Sequence, residues 1–78
     1  MRFLTDFDVQ NCSEEEIRKS FVGRIDYVGE VKGGIVESLY FLSREEYVEE
    51  LKESINIGRT IQYEDYKGYT SLEEIGYL

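Results

Sequence analysis

Three Ser-x-x-Glu patterns punctuate the chain: Ser13 to Glu16, Ser43 to Glu46, and Ser71 to Glu74. In a capping box of this kind the Ser oxygen and the Glu carboxylate satisfy amide groups that the first helical turn leaves without partners. Each pattern therefore marks a helix start. Two of them carry an apolar pair that staples the entry, Cys12 with Ile17 and Leu42 with Tyr47. After Ser13, Ile17 and Phe21 sit four apart on one face, and Gly23 is the expected stop. After Ser43, Tyr47, Val48, Leu51 and Ile55 form a stripe at helical spacing that ends near Asn56 and Gly58. From Ser71, only Leu72 and Ile75 remain as an apolar face, enough for a turn or two.

Between these helices the period changes to two. Phe3, Thr5, Phe7 and Val9 alternate with Leu4, Asp6 and Asp8, which predicts a first strand over residues 3–9. Residues 24–32 and 35–42 are β-rich runs joined at Gly33-Gly34, a hairpin signal because glycine accepts positive φ without strain. Residues 59–64, with Ile61 and Tyr63 on one face, predict a fourth strand. The order βαββαβ with a short C-terminal tail defines an α+β fold of the ferredoxin-like kind. Its expected form is a four-stranded antiparallel sheet with both helices on one face. The core is expected to include Leu4, Ile17, Phe21, Ile25, Val28, Leu39, Leu51, Ile55 and Ile61.

Length and composition set the limits. Seventy-eight residues suit a single domain over 1–78, near the lower limit for a core without staples. Apolar residues at 41%, with seven Tyr and four Phe, supply enough buried area to argue against disorder. One Cys forms no internal disulfide, no apolar run is long enough to span a membrane, and acid follows Met1-Arg2-Phe3-Leu4-Thr5 where a signal peptide would stay apolar. A cytoplasmic, intracellular protein is the expectation. Asp and Glu total 17 against 9 Lys and Arg, a net charge of −8. Such a chain repels phosphate backbones and anionic lipid, and is drawn to basic protein surfaces.

The chain resembles the RNA recognition motif family. Residues 13–21, Ser-Glu-Glu-Glu-Ile-Arg-Lys-Ser-Phe, are similar to that family's first helix, and Gly23-Arg24-Ile25-Asp26-Tyr27-Val28 to its second strand. Ser43-Arg44-Glu45-Glu46-Tyr47 resembles the start of its second helix, and Gly58-Arg59-Thr60-Ile61-Gln62-Tyr63 its last strand. The resemblance implies the split βαβ fold. It does not carry an RNA site. In the first strand Phe3 keeps the aromatic, but Arg2 stands at an apolar position. In the third, Gly34, Ile35 and Val36 follow Lys32-Gly33, and the alternative register puts Val36 and Ser38 where stacking aromatics belong. The loop after Phe21 is short, and Tyr47 and Glu50 stand at helix positions that the family gives to Ala. The family register exposes Phe3 and buries Leu4, whereas plain alternation puts Phe3 and Phe7 in the core. We follow the family register, with Phe7 turning inward after the strand.

Catalysis has little to stand on. The chain has no His to serve as a near-neutral base, no metal-ligand spacing and no nucleophile elbow, so no enzyme, metal or cofactor is expected. Asp6 and Asp8 share a strand face without a third ligand, and Cys12 has no His to activate it. Glu45, Glu46, Glu49, Glu50 and Glu53 exceed what capping requires and read as a partner-facing acidic surface. Tyr66 and Tyr69 flank a turn and suit an interface. Phe3, Tyr27 and Tyr40 mark an alternative site on the open sheet face.

The composition therefore points to a protein-binding module that meets a basic surface, such as that of a nuclease or nucleic-acid-binding complex. The sharper expectation is a stoichiometric inhibitor that mimics nucleic acid, in the manner of anti-restriction and anti-CRISPR proteins. Direct nucleic-acid binding is not expected. The alternatives are a degenerate RNA recognition motif that acts on RNA, and a subunit that closes as a homodimer.

Overall fold

Residues 3–29 and 33–68 are described by the computed structural model of the chain. Four strands form one sheet: β1 (Phe3–Thr5), β2 (Gly23–Val28), β3 (Ile35–Phe41) and β4 (Ile61–Asp65). Their order across the sheet is β1-β3-β2-β4, and every neighbouring pair is antiparallel. The helices are α1 (Asp6–Val9), α2 (Glu14–Ser20) and α3 (Arg44–Asn56). The α+β class and the four-stranded antiparallel sheet stand as the residues predict. The helix expected from Ser71 lies outside the described residues, as does much of the hairpin turn that Gly33 closes.

The class is consistent with the ferredoxin-like expectation, but two features of the arrangement differ from it. With both helices on one face, β4 would return beside β1; instead it lies beside β2. The helices also occupy opposite faces. Successive side chains on a strand point to opposite sides. Ile25, Tyr27, Leu39 and Phe41 pack with Tyr47 and Leu51 of α3, and Phe3 and Ile55 close around them. Tyr40 points the other way, into a second cluster with Val9 and Phe21 that Leu4, Ile17 and Tyr66 complete. The topology explains the arrangement. The crossover from β1 to β2 and the one from β3 to β4 step in the same direction but start from oppositely directed strands. Crossovers of one hand then lie on opposite faces. Each face of the sheet thus carries a packed cluster, and Ile25 and Phe41, at 0% exposure, each contribute about 1.5–3 kcal/mol of burial.

Ser13 and Ser43 cap their helices as expected, accepting from the Glu16 N–H at 3.2 Å and the Glu46 N–H at 3.3 Å. The first strand is shorter than alternation predicts. Thr5-Asp6-Phe7-Asp8 is a fourth box, in which Asp8 Oδ2 accepts from both the N–H and the hydroxyl of Thr5 at 2.9 Å. The chain turns there into α1, and the Asp6 carboxylate takes the Ser38 N–H at 3.0 Å beyond the last rung of the β1–β3 ladder. Phe7, expected to turn inward, is 77% exposed. Gly23 does not stop α2, which ends when Phe21 adopts extended backbone. It is the first residue of β2.

Candidate functional site

The acidic residues of α3 divide by the helical period. Tyr47, Leu51 and Ser54 are buried against the sheet, while Glu45, Glu49 and Glu53 are exposed on the other side. These three carboxylates stand four residues apart, or about 6 Å along the axis, and form one line. Glu46 is half-buried in the first turn. Glu50 turns inward instead: its Oε1 accepts from the Tyr27 hydroxyl at 3.0 Å. Ser54 Oγ lies 3.1 Å from the same phenol oxygen. Burial foremost, and the carboxylate of Glu50 with it, pushes the Tyr27 phenol up from its ordinary pKa. The Arg59 guanidinium lies 3.8 Å over the centre of the Tyr27 ring. Five glutamates that read alike in the sequence thus hold three different environments.

Tyr66, assigned to the same surface, does not join it. Tyr66 follows β4 and packs into the cluster on the α1 and α2 side of the sheet, where the Arg18 guanidinium lies 5.3 Å over its ring. Its N–H donates to Val22 O at 2.9 Å. It is in the layer opposite α3. Tyr69 lies outside the described residues. Phe3, Tyr27 and Tyr40 do not share a face either. Tyr27, 2% exposed, and Phe3 lie under α3, whereas Tyr40, 8% exposed, lies under the other layer.

Under α1 and α2 lies a polar layer that the residues alone do not announce. Asp26 is 3% exposed; its Oδ1 accepts from the Ser38 hydroxyl at 2.5 Å and pairs with Arg24 Nε at 3.0 Å. Arg24 also reaches Glu64 at 3.4 Å, and Glu64 pairs with Arg18 at 2.8 Å. The Tyr40 hydroxyl donates to Asp6 Oδ1 at 3.3 Å. Burial and the nearby Asp6 carboxylate raise the Tyr40 phenol. On the far side, Lys67 Nζ donates to the carbonyls of Arg18 and Lys19 at 3.2 and 2.7 Å, where the last turn of α2 leaves them without helical partners. The signal in the sequence is the register itself: Arg24 faces Tyr40 and Asp26 faces Ser38 across the β2–β3 ladder. This layer is a mutually satisfied structural network, with its donors and carboxylates turned towards each other.

Among the described residues no group of three or more His, Cys, Asp or Glu side chains is placed to hold a metal ion. No helix among them is long and apolar enough to cross a membrane. The single Cys12 is exposed. In comparisons with known proteins, no family model, no curated protein and no solved structure matches the chain.

Proposed function

We propose that this protein is a non-enzymatic binding module that docks the outer face of α3 on a basic protein surface and blocks it stoichiometrically. The observation that carries the reading is the line Glu45, Glu49 and Glu53, exposed on one side of a helix whose other side is fixed to the sheet. A rigid support matters, because the backbone of a packed helix loses little further freedom on docking, which leaves only the side chains to be ordered. The net charge of −8 adds long-range attraction towards a cationic groove and repulsion from nucleic acid itself. A surface built to receive phosphates is the natural complement, which makes nucleic-acid mimicry against a nuclease or nucleic-acid-binding complex the favoured form. Anti-restriction and anti-CRISPR proteins work in this way by analogy of character. Burial of Tyr27 and Tyr40 on opposite faces argues against base stacking on the sheet.

The test is to capture partners from the source cell or its host at low and high salt, and then measure association kinetics with the partner so identified. Glu45→Lys, Glu49→Lys and Glu53→Lys together should leave the fold intact, because exposed charges contribute little to stability. Association should slow by about tenfold or more, and the parent's rate should fall with added salt. A triple variant that associates as fast as the parent would overturn the reading.

A further inference from the structure

α2 is held differently from α3. Val9 and Phe21, both buried, belong to one cluster with Tyr40. Between these two anchors the chain makes an excursion over residues 10–20, exposed throughout except at the half-buried Ile17. α2 thus contributes no fully buried side chain, whereas α3 contributes Tyr47, Leu51 and Ser54. What ties α2 down is largely polar, and it comes from the end of β4 and the residues after it. Arg18 pairs with Glu64 at 2.8 Å and lies 5.3 Å over the Tyr66 ring. Lys67 Nζ donates to the carbonyls of Arg18 and Lys19 at 3.2 and 2.7 Å. A helix of seven residues is too short to persist unaided in water, so these contacts decide whether it forms.

We infer that residues 10–20 are a hinged flap, latched by Arg18 and Lys67, that opens as a unit while the sheet and α3 stay folded. One hinge is the turn in which the Cys12 N–H donates to Val9 O at 2.9 Å; the other is the extended backbone at Phe21. Opening strands no charge. Arg18 keeps Glu14 of its own helix at 3.2 Å, and Glu64 keeps Arg24 at 3.4 Å. The apolar contact given up is that of Ile17, and the Tyr66 ring is uncovered with it. Because the latch is charged and lies at the surface, added salt screens it and shifts the balance towards the open flap. The inference is independent of what α3 binds.

Hydrogen exchange, followed residue by residue by NMR on the full chain, tests it. The amides of α2 that close helical bonds, Ile17 to Phe21, should exchange at least about tenfold faster than those in the middle of α3. Raising salt from about 0.05 to 1 M should speed them by about threefold or more and leave α3 unchanged. Lys67 is exposed, so Lys67→Met spares both apolar clusters. It should speed exchange in α2 by a similar factor at low salt, while Lys67→Arg, which keeps the charge, should stay close to the parent. Should the methionine variant fail to fold, the parent's response to salt decides the matter. An α2 whose amides exchange as slowly as those of α3 overturns the inference. So does exchange in α2 that is indifferent to salt or to Lys67→Met, or that rises only together with exchange in α3.

Discussion

Gly23 lies against the aromatic ring of Tyr47: a Cβ at position 23 would stand 2.7 Å from Cζ and 2.8 and 2.9 Å from the two Cε atoms. Carbon atoms do not approach so closely without displacement. The missing side chain lets a helix residue rest directly on the backbone of β2, where Gly23 pairs with Phe41 on one side and Asp65 on the other. The Tyr47 ring then meets Phe41 with centroids 5.8 Å apart. One glycine thus sets how near α3 sits to the sheet, and so where its acidic line stands.

Gly23→Ala should therefore destabilise the protein by about 1–3 kcal/mol, the usual penalty for overpacking. Urea unfolding of the parent, Gly23→Ala, Tyr47→Leu and the double variant gives the check. The two substitutions should be strongly non-additive, because removing the ring removes the collision. Additive losses would show that Gly23 is needed for something other than Tyr47.

The hydroxyl of the same residue makes the opposite prediction. Tyr47 Oη is buried and has no hydrogen-bond partner among the described residues. Tyr47→Phe should leave stability unchanged or raise it by about 1 kcal/mol, since a desolvated group is removed. Tyr27→Phe is the contrast. That change withdraws the hydroxyl bonded to Glu50 and to Ser54, itself only 2% exposed, and should cost about 1–3 kcal/mol. Thermal melts of the two variants should move apart.

These contrasts also mark what the sequence discloses. Ser13 and Ser43 announce their helices because capping is local chemistry, written within four residues. Thr5 and Asp8 carry the same chemistry with a shorter acid, and the alternation of Phe3, Thr5, Phe7 and Val9 concealed it. The side of the sheet taken by α2 was harder to read. Arg24, Asp26 and Ser38 look like a solvated face, since polarity alone does not distinguish a side chain bonded to water from one bonded to its neighbours. The helical period sets Glu50 nearer the buried side than Glu49, but its partner Tyr27 comes within reach only once α3 is docked. Strand order decided the first case and the docking of α3 the second. Alternation marks the four strands, if not their ends, but whether β4 returns beside β1 or beside β2 depends on packing between distant segments.

Within that polar layer, Asp26→Ala should cost about 1–3 kcal/mol, because it strips the buried Ser38 hydroxyl and Arg24 of a shared acceptor. Arg24 keeps some contact with solvent and with Glu64, which holds the loss below that of a fully buried pair. Glu64→Ala should cost less than Asp26→Ala, since its pairs lie nearer the surface. Chemical denaturation of both variants gives the ranking, and a reversed order would show that the outer pairs carry the layer.

Stability at alkaline pH tests the burial of the phenols on both faces. Tyr27, Tyr40, Tyr47 and Tyr66 all have pKa values raised above the ordinary 10.0, in each case chiefly because burial disfavours the phenolate. The sign follows from linkage. The folded form holds these protons more tightly than the unfolded chain, so their contribution is complete below the unfolded pKa of about 10 and is lost as pH rises through the folded values. Raising the pH should therefore unfold the protein cooperatively, with late ionisation of the buried phenols. Phenolate absorbance and far-UV circular dichroism, followed together, should show one class of tyrosines appearing only as secondary structure is lost. Tyr47→Phe should leave that class smaller and shift the transition to higher pH, because one group that drives unfolding is gone. Smooth ionisation of all seven tyrosines near their ordinary value, with the circular dichroism still native, would mean that neither face of the sheet is covered as described.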